Sequence, residues 1–137
     1  MKDMVKEWIR QAGEELGMAE HLLRGGYHKG ACFHAQQAVE KSVKALLLDR
    51  GWELEKTHSI GRLIALAEEY HVSAPITDEE TVFMDSIYRG RYPAEAGLLP
   101  LGDPSEADAM RAIEISRRVL ERARSTRSDG NAPPPVV

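Results

Sequence analysis

The sequence predicts an all-α protein, an up-and-down four-helix bundle with one additional short helix. Three observations predict it. Apolar residues recur at helical spacing along most of the chain. Period-2 alternation is absent and β-branched residues are scattered, so no segment reads as a strand. Glycine and proline punctuate the pattern where helices must stop, at Gly25-Gly26, Gly51, Pro75 and across residues 90–104.

The first helix is expected over residues 3–24, with Val5, Trp8, Ile9, Ala12, Leu16, Ala19 and Leu23 as its apolar stripe. Gly25-Gly26 ends it, because glycine tolerates the left-handed conformation of a helix stop. The second helix follows over 28–50, and so short a link forces the two to lie antiparallel. Thr57 or Ser59 caps a third helix, with Ile60, Leu63, Ile64, Ala67 and Tyr70 or His71 inward. Thr77 and Glu80 form a capping box opening a shorter fourth helix with Val82, Phe83, Ile87 and Tyr88, stopped by Gly90 and Pro93. Residues 93–102 read as a surface loop. Asp103 at the cap, Pro104 at the first helical position and Glu106 at the third open the last helix, which runs to Ser125 with Met110, Ile113, Val119 and Leu120 inward. The folded domain is residues 1–125, and residues 126–137, which lack any pattern, are expected to be a disordered tail.

A chain of 137 residues is long enough for one domain with its own core. No apolar run approaches the roughly 18 residues of a membrane span, and the N-terminus lacks the apolar block of a secretory signal. The expectation is a soluble cytoplasmic protein without membrane contact. The single cysteine, Cys32, excludes an internal disulfide and reads as a small buried thiol. A net charge of −4 argues against the whole surface attracting nucleic acid. The charge is uneven, however. Residues 53–80 carry seven acids against Lys56 and Arg62, and residues 111–127 carry six arginines against Glu114 and Glu121. The basic helix is either a solvated face or a partner surface.

The second helix carries the clearest candidate site. Ala31, Ala35, Ala38, Val39, Ser42, Val43, Ala45 and Leu46 form its apolar side. At about 100° per residue, His34, Gln37, Lys41 and Lys44 fall within about 80° of arc on another side. Lysines with a histidine and an amide between them suit a phosphate or nucleotide. The alternative is a solvated face, with Glu40 and Lys44 as an i,i+4 pair. Metal binding is not expected. The Glu-x-x-His spacings Glu55…His58 and Glu68…His71 lack the further inward carboxylates that a di-iron bundle needs. No phosphate-cradling glycine loop, nucleophile elbow or cysteine pair is present either.

Residues 33–47, beginning Phe33-His34-Ala35-Gln36-Gln37-Ala38-Val39-Glu40-Lys41, resemble the signature second helix of HEPN domains (higher eukaryotes and prokaryotes nucleotide-binding). Three further segments match in the expected order: the first helix with Trp8 running into Leu22–Tyr27, then Lys56-Thr57-His58-Ser59-Ile60, then Arg89-Gly90-Arg91-Tyr92-Pro93. Together they cover about residues 5–124. The resemblance implies a helical bundle similar to the C-terminal domain of kanamycin nucleotidyltransferase. It also implies a homodimer, and a minimal nucleotidyltransferase as partner in a toxin–antitoxin pair. No cofactor is implied. Other members are ribonucleases with an Arg-x4–6-His motif. Here three residues separate Arg24 from His28, seven separate Arg50 from His58, and eight separate Arg62 from His71, so the motif is absent in its usual form.

Three readings follow. In the first, the protein is a nucleotide- or RNA-binding subunit. Lys41 and Lys44 neutralise phosphate, His34, Gln37 and His58 hydrogen-bond sugar or base, and Arg91 and Tyr92 close the site. In the second, it is a metal-independent ribonuclease with a divergent site of Arg50, His58 and Arg91. In the third, it is a ligand-free structural homodimer in which His34 and Gln37 pack across the interface, Arg91 and Tyr92 pin the loop to the bundle, and His58 caps its own helix.

Overall fold

The computed structural model describes residues 3–90 and 103–129. These form five helices: α1 (Asp3–Arg24), α2 (His28–Asp49), α3 (Ile60–Glu69), α4 (Asp78–Gly90) and α5 (Glu106–Asp129). No strand occurs among the described residues. The all-α expectation holds.

The first three helices end in the same way. At the end of α1, Tyr27 N donates to Leu22 O at 2.9 Å and Gly26 N to Leu23 O at 3.0 Å, with Gly26 at φ +83°. At the end of α2, Trp52 N reaches Leu47 O and Gly51 N reaches Leu48 O, both at 3.1 Å, with Gly51 at φ +90°. These are Schellman caps, which need a left-handed residue just past the helix. The third, closing α3, places His71 in that position at φ 56°, with Val72 N bonded to Ala67 O at 2.8 Å.

The α1–α2 turn sends α2 back along α1. Opposed positions confirm the antiparallel order: Leu22 lies by Gly30, Glu15 meets His34, and Trp8 meets Lys44. α2 packs on all four other helices and is buried nearly all round, as a central helix must be. Small residues let α5 approach it closely. Ala31, Ala35 and Ala38 of α2 and Ala109, Ala112 and Ser116 of α5 are fully buried. The Ser116 hydroxyl donates across the interface to Ala35 O at 2.6 Å. Cys32 lies in this layer, and burial, with help from the Asp108 carboxylate, pushes its thiol up to about 12. Such a thiol is inert at neutral pH.

Several local expectations change. The cap of α5 is Ser105, not Asp103: Asp108 N donates to Ser105 Oγ and Ser105 N to Asp108 Oδ2, both at 3.0 Å. This reciprocal box satisfies two amides at once, so the helix starts beyond Pro104. Met110 faces outward at 55% exposure, and Ala109, Ala112 and Ile115 fill the inner face. On α4, Val82 is exposed and Met84 is the buried anchor. α5 continues to Asp129, past the expected stop at Ser125. The expected loop 93–102 and the tail beyond Asp129 lie outside the described residues.

Four arginines of α5 work as struts. Arg117 pairs with Glu20 of α1 at 2.6 Å. Arg118 donates to both oxygens of Glu80 at 2.8 and 3.1 Å and to Pro75 O at 3.0 Å. Arg111 lies 4.3 Å over the Phe83 ring, and Arg122 donates to Ser73 O at 3.3 Å. These charges tie α5 to the rest of the bundle rather than forming a free basic stripe.

Candidate functional site

The polar side of α2 is organised around two glutamates. Glu15, on α1, is buried, and it accepts from Lys41 Nζ at 2.9 Å through Oε2. Its Oε1 lies 2.7 Å from His34 Nδ1. Burial alone would raise the Glu15 pKa. The Lys41 and His34 hydrogen bonds outweigh it and hold the carboxyl below its ordinary value. His34 also lines a groove of about 520 Å³ with Glu14, Gly17, Met18, His21 and Leu22.

Glu40 centres the second cluster. Its Oε2 accepts from Lys44 Nζ at 2.9 Å, and its Oε1 lies 3.1 Å from His58 Nδ1. The Glu40 and Lys44 side chains are only 4% and 6% exposed. The ammonium also lies 5.5 Å from the centre of the Trp8 ring, where a cation–π attraction adds to the ion pair. A charge so enclosed must be paired to be tolerated.

His58 differs from these neighbours because its side chain is 55% exposed, yet its position is fixed from several directions. Glu40 holds Nδ1. Gln36 Nε2 donates to the His58 carbonyl at 3.3 Å, and Gln37 Nε2 donates to Gln36 Oε1 at 2.7 Å. The Tyr88 ring stacks on the imidazole with centroids 5.1 Å apart and an interplanar angle of 16°.

The helix that follows His58 is also anchored. Ser59 Oγ accepts from Arg62 N at 3.0 Å. Asp85 of α4 accepts from Ile60 N at 2.7 Å and Gly61 N at 2.9 Å. The N-terminus of α3 is thereby closed to anions by two side chains of its own protein. Thr57 Oγ1 accepts from Ser59 N at 3.2 Å, and Glu55 pairs with Arg62 at 3.2 Å.

The expected site residues therefore divide. His34 and Lys41 belong to the Glu15 cluster. Gln37, Lys44 and His58 belong to the Glu40 cluster, where Lys44 is buried. Arg50 is exposed at the C-cap of α2. Arg91 and Tyr92 lie outside the described residues. Among the described residues no group of three histidine, cysteine or acidic side chains could hold a metal ion, and no helix is long and apolar enough to cross a membrane.

Sequence reasoning missed Glu15, Gln36, Asp85 and Tyr88 as parts of this arrangement, and gave Glu40 only its i,i+4 role. Glu15 did leave a trace, since it interrupts an apolar stripe between Ala12, Leu16 and Ala19.

The comparisons with known proteins bear on this bundle. A family model described as the HEPN domain matches residues 5–126, which include all of α2, α3 and α4. The chain belongs to the HEPN family. Its fold is similar to the crystal structure of TT1696 from Thermus thermophilus, with a TM-score of 0.74 and 27% identity over 90% of this chain and 98% of that one. It is also similar to ST0689, an archaeal HEPN homologue, with a TM-score of 0.68 and 32% identity over 92% and 98% of the two chains. A stretch of 46 residues is 41% identical to a Methanocaldococcus jannaschii protein named "Putative toxin MJ1304". That stretch spans 34% of the HEPN chain and 30% of the archaeal protein.

Proposed function

We propose that this HEPN protein is the nucleotide- or RNA-binding member of a toxin–antitoxin-type pair, acting as a homodimer beside a minimal nucleotidyltransferase. The observation that carries the reading is His58. An exposed imidazole held by a buried carboxylate and an aromatic ring, on a backbone carbonyl held by a glutamine, is more constrained than a solvated surface histidine needs to be. The local likeness to a toxin-named protein supports the pairing. His34, Gln37 and Lys41 supply further polar contacts. Lys44 acts through Glu40, because its ammonium is enclosed. Arg91 and Tyr92, which follow α4 directly, contribute a guanidinium and a ring.

Titrating labelled ATP, GTP and short RNA against wild type and Lys41→Ala/His58→Ala tests this. The reading expects binding by wild type and a loss of at least tenfold in the variant. Equal affinities, or no binding by either protein, would overturn it.

One observation favours a second reading. Glu40 and His58 form a carboxylate–imidazole pair on a half-exposed side chain whose Nε2 makes no hydrogen bond among the described residues, an arrangement suited to general acid–base catalysis. A ribonuclease using His58 with Arg50 and Arg91 would cleave total RNA, and His58→Ala would abolish the cleavage. An unchanged cleavage pattern in His58→Ala would remove this reading.

A further inference from the structure

The surroundings of the His58 ring define which ligand group can meet it, granted the nucleotide- or RNA-binding reading above. An imidazole has two faces and a nitrogen-bearing edge. In this protein Tyr88 covers one face and Glu40 occupies Nδ1. The side chain is still 55% exposed and its Nε2 makes no hydrogen bond among the described residues, so the opposite face and the Nε2 edge are the parts left for a ligand.

Glu40 also decides what Nε2 can do. A carboxylate paired with the Lys44 ammonium at 2.9 Å accepts hydrogen bonds and donates none. The Nδ1 atom, 3.1 Å from the other carboxylate oxygen, must then be the donor. In the neutral ring this leaves Nε2 with a lone pair that accepts hydrogen bonds.

From these two facts we infer that His58 is the middle layer of an aromatic platform. A nucleobase stacks on its open face, so that Tyr88, His58 and the base lie in sequence, and a ribose hydroxyl donates to Nε2. Glu40 and Tyr88 are positioning residues: one fixes the tautomer and the other fixes the ring plane. Lys44 completes the ion pair with Glu40. Stacking on aromatic rings is tolerant of base identity, so the ligand class is a nucleobase carried by a free nucleotide or by single-stranded RNA.

The test is nuclear magnetic resonance of ring-labelled histidine in the full chain at about pH 8, where an ordinary imidazole is neutral. AMP and octaadenylate are added in separate arms. Without ligand, His58 is expected to carry its proton on Nδ1. With the ligand that binds, its ring protons are expected to move upfield through the ring current of the base. A response to AMP alone would assign a free-nucleotide site, and a response to octaadenylate alone an RNA site. Glu40→Gln/Lys44→Met removes both buried charges while keeping volume. With its melting temperature as the folding control, it is expected to shift protonation toward Nε2 and to weaken binding about tenfold. Tyr88→Leu, with its melting temperature as the folding control, is expected to bind about tenfold more weakly.

An Nε2–H tautomer in the ligand-free wild type would overturn the inference at once. Binding that leaves the His58 signals unmoved would overturn the platform while leaving the binding function standing. Absence of binding by either probe would overturn both.

Discussion

Asp85 and Ile60 meet across two helices, with the carboxylate of α4 accepting the first amide of α3 at 2.7 Å. The second carboxylate oxygen takes the Gly61 amide at 2.9 Å. A Cβ at residue 61 would stand 3.1 Å from that oxygen, so a side chain there would press the carboxylate back by a few tenths of an ångström. Asp85 and Tyr88 are one turn apart on α4, and between them they fix both the start of α3 and the ring of His58.

Removing that tether is expected to cost stability. Asp85→Ala leaves two amides without their acceptor, for a loss of about 1–2 kcal/mol. Urea denaturation monitored by circular dichroism measures it. Asp85→Asn keeps one acceptor oxygen and is expected to lose less. Equal losses would mean that the cap is not the source.

The Glu40–Lys44 pair makes a sharper prediction, because both partners are enclosed. Glu40→Gln leaves a buried ammonium without its counter-charge and is expected to cost about 3 kcal/mol. Adding Lys44→Met is expected to recover most of that loss, since a matched apolar replacement of a buried pair is close to neutral. A double-mutant cycle with Lys44→Met alone provides the coupling energy. Additive losses would contradict the pairing.

His71 occupies the left-handed position that glycine fills at the ends of α1 and α2. Its side chain is exposed, so little packing is lost on its removal. His71→Gly is expected to raise stability by about 1 kcal/mol through relief of the backbone penalty. A lowered melting temperature would show that the imidazole makes a contribution larger than the strain.

Acid is expected to loosen the α4–α5 contact. The bidentate Arg118 guanidinium, acting against partial burial and helped by the Thr77 amide, holds the Glu80 carboxyl down at about 2, from 4.5. A depressed carboxylate contributes stability that is fully present above its unfolded value. That contribution is lost as pH falls from about 4.5 toward 2. Wild type is therefore expected to lose more stability over that window than Glu80→Gln does. The variant is already weaker at neutral pH by about 1 kcal/mol. Parallel pH profiles would contradict the assignment.

Much of the bundle was legible because its signals are local. Gly25-Gly26, Gly51 and the Thr77/Glu80 box each act within a few residues, and the apolar stripes of α1 and α2 repeat at one spacing. The α5 cap was misplaced because Asp103 and Ser105 compete two residues apart, and only the reciprocal bond with Asp108 decides between them. The site was legible only as a sector of α2. A helical wheel shows that His34, Gln37, Lys41 and Lys44 share a side, but not how deep each lies. Nor does it show that Glu15 and His58 arrive from other segments. Asp85 left no local trace, because its partners are backbone amides 24 and 25 residues away.

The central claim is that the exposed His58 imidazole faces a nucleotide or RNA. Fluorescence anisotropy of labelled ATP and of labelled octaadenylate against wild type and His58→Ala, with both proteins shown to melt alike, measures it most directly. The account expects the alanine variant to bind at least tenfold more weakly. Indistinguishable dissociation constants for the two proteins would contradict it.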